Sequence, residues 1–592
     1  MTYKSFSAFT VLVALVLAIT SLWDDSFIVD EIPHVGAGYS YIAKGDFRLN
    51  PEHPPLAKDL AGLALLFQDI DQTAFSTQYW NTDVNGQWNF GRTLIYNASN
   101  NVDAITRTAK MTMLIFFLLS AVLIYRFAKE RYGERAAFIA TLLFSFSPTV
   151  LAHSRFVTTD MPALFGTLFG TYFFIKFVQK PNWRSFWFAA VAFGVAELTK
   201  FSVVLIAPLF ALMTIAWCFA NSFSLKHSVI LFMRSLALML AGIIIVVWPV
   251  YALHTINYPP EKQRTDTESN LSSYGNRFFA DPVVWASDKP VIRSLAYYAS
   301  GILMVNQRSE GGNTTFFLGE IRNYAWKYYF PVVYAIKEPL AFWGLVIIAL
   351  LTLSLRVKKF DLTLKKIKNW VSEYFLEFSM LLWLAIYWYF SINANLNIGV
   401  RHLLPTYGFV FILLAGQLSN IGQNLKSKAQ NNNLKFKRLF FAFNFMLYAL
   451  LGWYVYETVS VHPYYLTYFN QIAGGPSGGY RYVVDSNLDW GQDLKRLAIW
   501  VEENNIDKIH LDYFGWADQG YYLKDKLIWI NSGTYYSARD FLAQNPDGGY
   551  IAVSASFYMG SRENPETSYA WLDAYEPVAI IGNSIFVWKI ER

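Results

Sequence analysis

Two carboxylates stand side by side at Asp30-Glu31, directly beyond the first long apolar run. A third, Asp160, takes the equivalent place in the turn HSRFVTTDMP (153–162). Acids at membrane depth usually serve function. Carboxylates from two separate turns can supply a base for a hydroxyl and a partner that orients it or binds a metal. The plainer reading, a solvated loop or a helix N-cap, suits any one of them taken singly.

Cations gather in the same turns. Arg155, Lys200 and Arg401 are nearly the only positive charges in the short turns on that side. With Lys58 and the histidines His53, His153 and His402 they form a set that could bind a phosphate or pyrophosphate, for which arginine forks are suited. Headgroup snorkelling is the structural alternative for each. His34 and His53, near Asp30 and Glu31, offer a mixed metal site, but their spacing matches no standard zinc pattern. A divalent metal is therefore one option, and no cofactor is assigned. No glycine-rich phosphate loop of the nucleotide-binding kind is present. Nucleotide sugars are made inside and these acids lie outside, so a lipid-carried donor suits the topology better.

These residues must be positioned by membrane helices. The chain has 592 residues, 54% hydrophobic and 16% charged, against about 25% charged in soluble domains. It reads as a polytopic α-helical membrane protein. A span needs about 20 mostly apolar residues, which predicts eleven: 6–23, 108–126, 136–152, 161–178, 185–199, 202–221, 228–254, 331–355, 374–392, 403–421 and 439–457. The first is read as uncleaved. Lys and Arg concentrate in alternate loops: Arg126 to Arg135, Lys180 and Arg184, Lys226, Arg356 to Lys368 (with Lys358 and Lys359), and Lys426 to Arg438. This positive-inside pattern places the N-terminus in the cytoplasm and the C-terminus outside, in a plasma (inner) membrane. The net charge of +6 is small for this length, and no nucleic-acid partner is expected. The lone Cys218 lies in an apolar run and permits no disulfide framework.

Three large segments then face outside: 24–107, 255–330 and 458–592. Residues 1–457 form the membrane module, and 458–592 a C-terminal α/β or α+β domain. Its predicted strands are Ile509 to Phe514, Tyr550 to Val553, Val578 to Ile581 and Ile585 to Ile590, with a helix from Gln492 to Asn504. The 255–330 loop is expected to be a mobile lid, with Gln307, Arg308 and Asn313 near a cavity mouth. In GGPSGGYRYVVDSNLDWGQDL (474–494), Asp485 to Asp489 end a strand and lead into a helix. Asp485 and Asn487 read singly as a strand–turn–helix cap, and the segment, with Asp485 and Asp489, also permits contact with an acceptor glycan or peptide.

Taken in order, several stretches resemble glycosyltransferases of family 39 type in the GT-C superfamily. They are the acidic pair, HPPLAK (53–58), Asp160, FLGEIRNYAWKYYFPVVYAIKEPL (317–340), NIGVRHLLP (397–405) and the HPYYLTYFNQIAGGP…DSNLDWGQDL block (462–494). That group includes the dolichyl-phosphate-mannose–protein mannosyltransferases and the lipid A aminoarabinose transferases. The resemblance runs from about Asp30 to Leu494. It implies a GT-C-like module, a sugar donor on a polyprenyl phosphate, and inverting transfer on the outer side to a protein, lipid or glycan acceptor. Carried over, Asp30 is the catalytic acid, with Glu31 adjacent, and Asp160 the second-loop acid. Two departures stand: there are no β-trefoil repeats, and His53 precedes the proline where the aminoarabinose enzymes have lysine. The expected roles are Asp30 as base, Asp160 and Glu31 in support, and His53, Lys58, Arg155, Lys200, Arg401 and His402 around the donor phosphate. The rival reading is a transporter or flippase of a lipid-linked sugar. A third is an assembly subunit whose tail does the work.

Overall fold

The computed structural model describes residues 2–357, 363–430 and 434–592. Lys358, Lys359 and the end of the polar 426–433 stretch lie outside the described residues. All eleven expected apolar segments are helical, but they do not make eleven straight spans. Eight are long and apolar enough to cross a membrane. Two more are bent pairs. Glu134–Ser145 and Pro148–Ser154 meet at 63°, and Tyr329–Lys337 and Leu340–Ser354 at 110°. Each break precedes a proline, which pushes the residue before it out of the helical region: Ser147 (ψ 122°) and Glu338 (ψ 141°) are both extended. The segment expected at 185–199 is the helix Trp183–Glu197, only 15 residues. That is about 22 Å, short of the roughly 30 Å hydrocarbon layer. The helix Leu404–Gln430 runs on through Lys426 and Lys428, which the sequence places in a loop.

The first large loop is itself helical. Its helices Glu31–Lys44, Leu56–Leu65 and Gln87–Ile95 pack backbone against backbone at glycines. A Cβ on Gly38 would stand 2.0 Å from the Lys58 carbonyl oxygen, and one on Gly91 2.2 Å from that of Ile32. This close packing fixes the start of the first helix, where Asp30 sits, against the segments carrying His53 and Gln87.

Residues 255–330 are not the weakly structured lid that the sequence suggests. They form the helices Pro260–Asn270, Arg277–Ala286 and Arg293–Gly311 and an antiparallel hairpin of β1 (Thr315–Phe317) and β2 (Glu320–Arg322). The C-terminal region carries a five-stranded sheet ordered β4-β3-β5-β7-β6. The strands are β3 (Ile509–Asp512), β4 (Leu527–Trp529), β5 (Gly549–Ser554), β6 (Ala579–Ile581) and β7 (Ile585–Ile590). β3 runs parallel to β4 and β5, and β7 antiparallel to β5 and β6. The helix Leu494–Glu503 buries Leu494, Leu497 and Val501 with Ile509, Leu511 and Val587. Within this five-stranded sheet, β4, three residues long, lacks a counterpart among the predicted strands.

Between the last membrane helix and this sheet, residues 461–493 thread through the helical module. Asn470 donates its side-chain amide to the carbonyls of Ala335 (2.8 Å) and Glu338 (2.9 Å). Lys337 Nζ donates to the carbonyls of Leu466 (2.7 Å) and Asn487 (2.8 Å). The amides of Ser26 and Val29 donate to Gln492 and Trp490, each at 2.9 Å. The first loop and the C-terminal region thus form one layer on the ends of the helices.

Candidate active site

Asp30 precedes the helix Glu31–Lys44, yet its side chain makes no capping bond to that helix. The capping alternative therefore does not account for it. Its carboxylate instead accepts from Arg401 Nη1 at 3.0 Å and keeps 23% side-chain exposure. The same nitrogen donates to Asp160 Oδ2 at 3.2 Å, and Lys200 Nζ meets Asp160 Oδ1 at 2.5 Å. Asp160 is fully buried. Arg401 is clamped from its other side: its guanidinium lies 4.2 Å from the Trp490 ring, and Nε donates to Ser486 Oγ at 3.3 Å. Three segments distant in sequence thus converge on one guanidinium.

This cluster opens into a cavity of about 560 Å³, within the usual range for small-molecule sites. Asp30, His34, Asn50, Glu52, His53, Gln87, Lys200, Arg308, Arg401 and His402 give it a polar wall. Leu205, Met304, Val305, Phe330, Phe390 and Leu396 give it an apolar one. Three lining cations, Lys200, Arg308 and Arg401, face two lining carboxylates, Asp30 and Glu52. The histidines offer ring nitrogens as donors or acceptors. His34 Nδ1 bonds the Val157 carbonyl at 2.7 Å, and its ring stands edge-on to His53 with centroids 5.1 Å apart. Burial pushes His34 down to about 4 and His53 well below the usual histidine range.

Several expected residues are engaged elsewhere. Glu31 is fully buried and faces away from the cavity. It accepts from Lys110 Nζ (2.8 Å), the Ile28 amide (2.9 Å) and the Val157 amide (2.8 Å). Lys58 is sealed behind the first loop, donating to Tyr41 Oη, the carbonyls of Asn50 and His53, and Asn50 Oδ1, all within 2.9 Å. Burial pushes its ammonium down to about 7. Arg155 binds Asp25 at 3.3 Å and Ser21 Oγ at 2.7 Å. These three hold the loops together and do not line the cavity. His153 is buried against Phe156 and Trp490.

Of Gln307, Arg308 and Asn313, expected at the mouth, Arg308 lines the cavity, as does its neighbour Ser309. Gln307 turns to Ser273 Oγ, and Asn313 is half-buried and donates to the Thr314 carbonyl. Asp485, in the left-handed region at φ 57°, accepts from the Ser486 amide at 2.5 Å. Burial raises it to about 6 against the opposing charge of Arg401. Asp489 is fully buried, accepts from the Ser556 amide at 2.8 Å, and is pushed up to about 8 by burial. Among the described residues no group of three or more His, Cys, Asp or Glu is placed to hold a metal ion.

Glu52, Asn50, Gln87 and Trp88 also line the cavity and are not among the residues picked from the sequence. Glu52 had a signal, being an acid directly before His53-Pro54 in the first loop. Gln87 and Trp88 had none, since only the packing of their helix brings them in.

Residues 105–250 match the family described as dolichyl-phosphate-mannose-protein mannosyltransferase. This segment contains Arg155, Asp160 and Lys200. No curated protein sequence matches the chain. Among solved structures, it is similar to ArnT from Cupriavidus metallidurans bound to undecaprenyl phosphate, at 13% identity, covering 99% of this chain and 98% of that one, TM-score 0.44. It is also similar to the oligosaccharyltransferase AglB from Archaeoglobus fulgidus in complex with an inhibitory peptide and a dolichol-phosphate, at 13% identity, 97% and 72% coverage, TM-score 0.44. A third is the S. cerevisiae protein O-mannosyltransferase complex bound to the sugar donor, at 19% identity, 43% and 34% coverage, TM-score 0.32. Over residues 105–250 the chain is therefore similar to the protein mannosyltransferases, one of the groups of GT-C glycosyltransferases that its motifs resemble.

Proposed function

We propose that this protein is an integral-membrane glycosyltransferase that moves a sugar from a polyprenyl-phosphate donor to an acceptor hydroxyl on the extracytoplasmic face. The observation that carries the reading is Asp30: a partly exposed carboxylate, unused by its own helix, held by Arg401 in a cavity that joins cations to an apolar wall. Asp30 takes the acceptor's proton as its oxygen bonds to the anomeric carbon. The bond from that carbon to the phosphate oxygen breaks, and the phosphate keeps the electron pair. Attack opposite the phosphate inverts the anomeric centre. Arg401, Lys200 and Arg308 offset the charge left on the phosphate, and Asp160 orients Arg401 and Lys200. The apolar wall suits a polyprenyl chain. The acceptor hydroxyl belongs to a protein, a lipid or a glycan. Supporting the assignment of faces is the crowding of Lys and Arg into the opposite loops.

The test is transfer from a radiolabelled polyprenyl-phosphate sugar pool in proteoliposomes. Asp30→Asn is expected to lower kcat by about 10²- to 10⁴-fold, the usual worth of a general base, with donor binding retained. Unchanged transfer by the variant removes Asp30 from the chemistry. Movement of donor across the bilayer with no transfer by either protein identifies a flippase.

A further inference from the structure

The second carboxylate on the cavity wall, Glu52, is held differently from Asp30. Amides hold it, where a cation holds Asp30. Gln87 Nε2 donates to Glu52 Oε1 at 2.8 Å, and Asn85 Nδ2 reaches its two oxygens at 3.2 and 3.3 Å. Gln87 Oε1 in turn accepts from Asn50 Nδ2, and Asn50 Oδ1 accepts from Lys58 Nζ at 2.9 Å. Lys58 Nζ sits among oxygens of Tyr41, Asn50 and His53 and donates to them, and at the other end a carboxylate only accepts. Lys58 therefore dictates which end of the Asn50 amide faces it, Asn50 dictates Gln87, and Gln87 must present N–H to Glu52. Flipping either amide would set donor against donor or acceptor against acceptor. This one-way relay starts at the buried Lys58 and ends at the cavity surface, leaving Glu52 an oriented acceptor with lone pairs to spare.

Trp88 follows Gln87 and lines the same cavity. Its ring is backed by Trp516 of the C-terminal region, with centroids 4.9 Å apart and planes 31° from parallel. A fixed carboxylate beside a fixed indole matches the two surfaces of a pyranose, hydroxyl edge and C–H face.

We infer that Glu52, Gln87 and Trp88 form a sugar subsite in which the Glu52 carboxylate accepts from two neighbouring hydroxyls of the transferred sugar and Trp88 covers its carbon face. This rests on the function proposed above. The subsite selects a sugar with a free vicinal pair of hydroxyls. Lys58, placed around the donor phosphate by the sequence, acts here as the anchor of the relay.

The experiment uses the full-length protein in proteoliposomes. It is offered a panel of neutral hexosyl and amino-sugar phosphates on a short polyprenyl chain, then the best hexosyl donor with single hydroxyls replaced by hydrogen. With wild type, removing either of two adjacent hydroxyls is expected to lower kcat/KM by about 10²-fold or more, since a site built for a hydroxyl rejects the analogue lacking it. In Glu52→Gln and Glu52→Ala the parent donor falls by a similar factor, and the penalty for the missing hydroxyl largely disappears. That coupling separates contact from a structural role. Glu52→Gln keeps the side chain's shape if Glu52→Ala does not fold. Undiminished discrimination in the Glu52 variants overturns the subsite while leaving the glycosyltransferase standing. Absence of transfer from every donor by wild type overturns both.

Discussion

One guanidinium nitrogen of Arg401 serves Asp30 and Asp160 together, while Asp160 has Lys200 as a second partner. Replacing this arginine does not affect the two acids alike. Arg401→Lys keeps a charge but loses the fork that reaches both carboxylates and the flat face on Trp490. It is expected to lower kcat/KM for transfer by about 10²-fold, in the range reported for removing one positioned charge donor. Arg401→Met should fall further and bind donor more weakly, as seen by titration of the lipid phosphate.

Asp489 gives a different prediction, in stability. Burial lifts its carboxyl from an ordinary 3.8 to about 8. Between those values the folded protein holds a proton that the unfolded chain does not, so this group's contribution falls as pH rises from about 4 to 8 and is level above. The melting temperature of Asp489→Asn, relative to wild type in detergent, should climb across that window and then stay constant. A flat difference would mean that Asp489 is already ionised in the fold.

At this scale the sequence was informative where it set a charge in a short turn between apolar runs: Asp30, Asp160, Lys200 and Arg401 meet at one cavity. Glu31, Lys58 and Arg155 carry the same signal but are satisfied by Lys110, by carbonyls and by Asp25. Only the partner distinguishes a buried structural charge from a reactive one, and the partner is far away in sequence.

Among the elements, the three helices of the first loop decide where the cavity wall stands. Gly38 and Gly62 let two of them touch through backbone: a Cβ on Gly62 would stand 2.2 Å from the Gly38 carbonyl oxygen. Gly38→Ala must push the helices apart. It is expected to cost about 1–3 kcal/mol, as overpacking does, and to lower transfer by moving Asn50 and Gln87. Thermal unfolding and the assay of Glu52-dependent selectivity check the two effects separately. The apolar helices were readable because length and hydropathy are local properties. Their bends were readable only at Pro148 and Pro339. The helices of 255–330 were not, since their polar sequence differs little from that of a loop: Pro260–Asn270 buries only Gln263, Asp266 and Thr267.

Across the whole molecule, a buried ion network joins the first loop to the C-terminal region. Asp25 faces Arg496 (2.8 Å), Arg155 (3.3 Å) and Lys110 (3.6 Å), Lys110 also binds Glu31, and Arg496 also binds Asp493 at 2.5 Å. Three cations meet three carboxylates away from water. Removing one partner strands the others, so Asp25→Asn and Arg496→Met should each cost about 3–5 kcal/mol. Because the two share one interaction, the double variant should lose clearly less than their sum. Simple additivity of the melting shifts would show that the ends of the chain are not coupled here. The division at residue 457 followed hydropathy, which does not register that 461–493 returns among the helices.

Ser486 and Trp490, which clamp Arg401, and Gln492, which ties down Ser26, are synthesised after every apolar helix of the chain. A nascent chain that has already inserted its helices therefore has the acids of the cavity but not the lock on their shared arginine. A lipid-linked donor of the kind proposed above meets an unfinished centre until residues 486–492 have been synthesised. A ribosome-stalled chain ending before residue 486 should be silent in transfer, and supplying residues 461–592 as a separate polypeptide in the same compartment should awaken it.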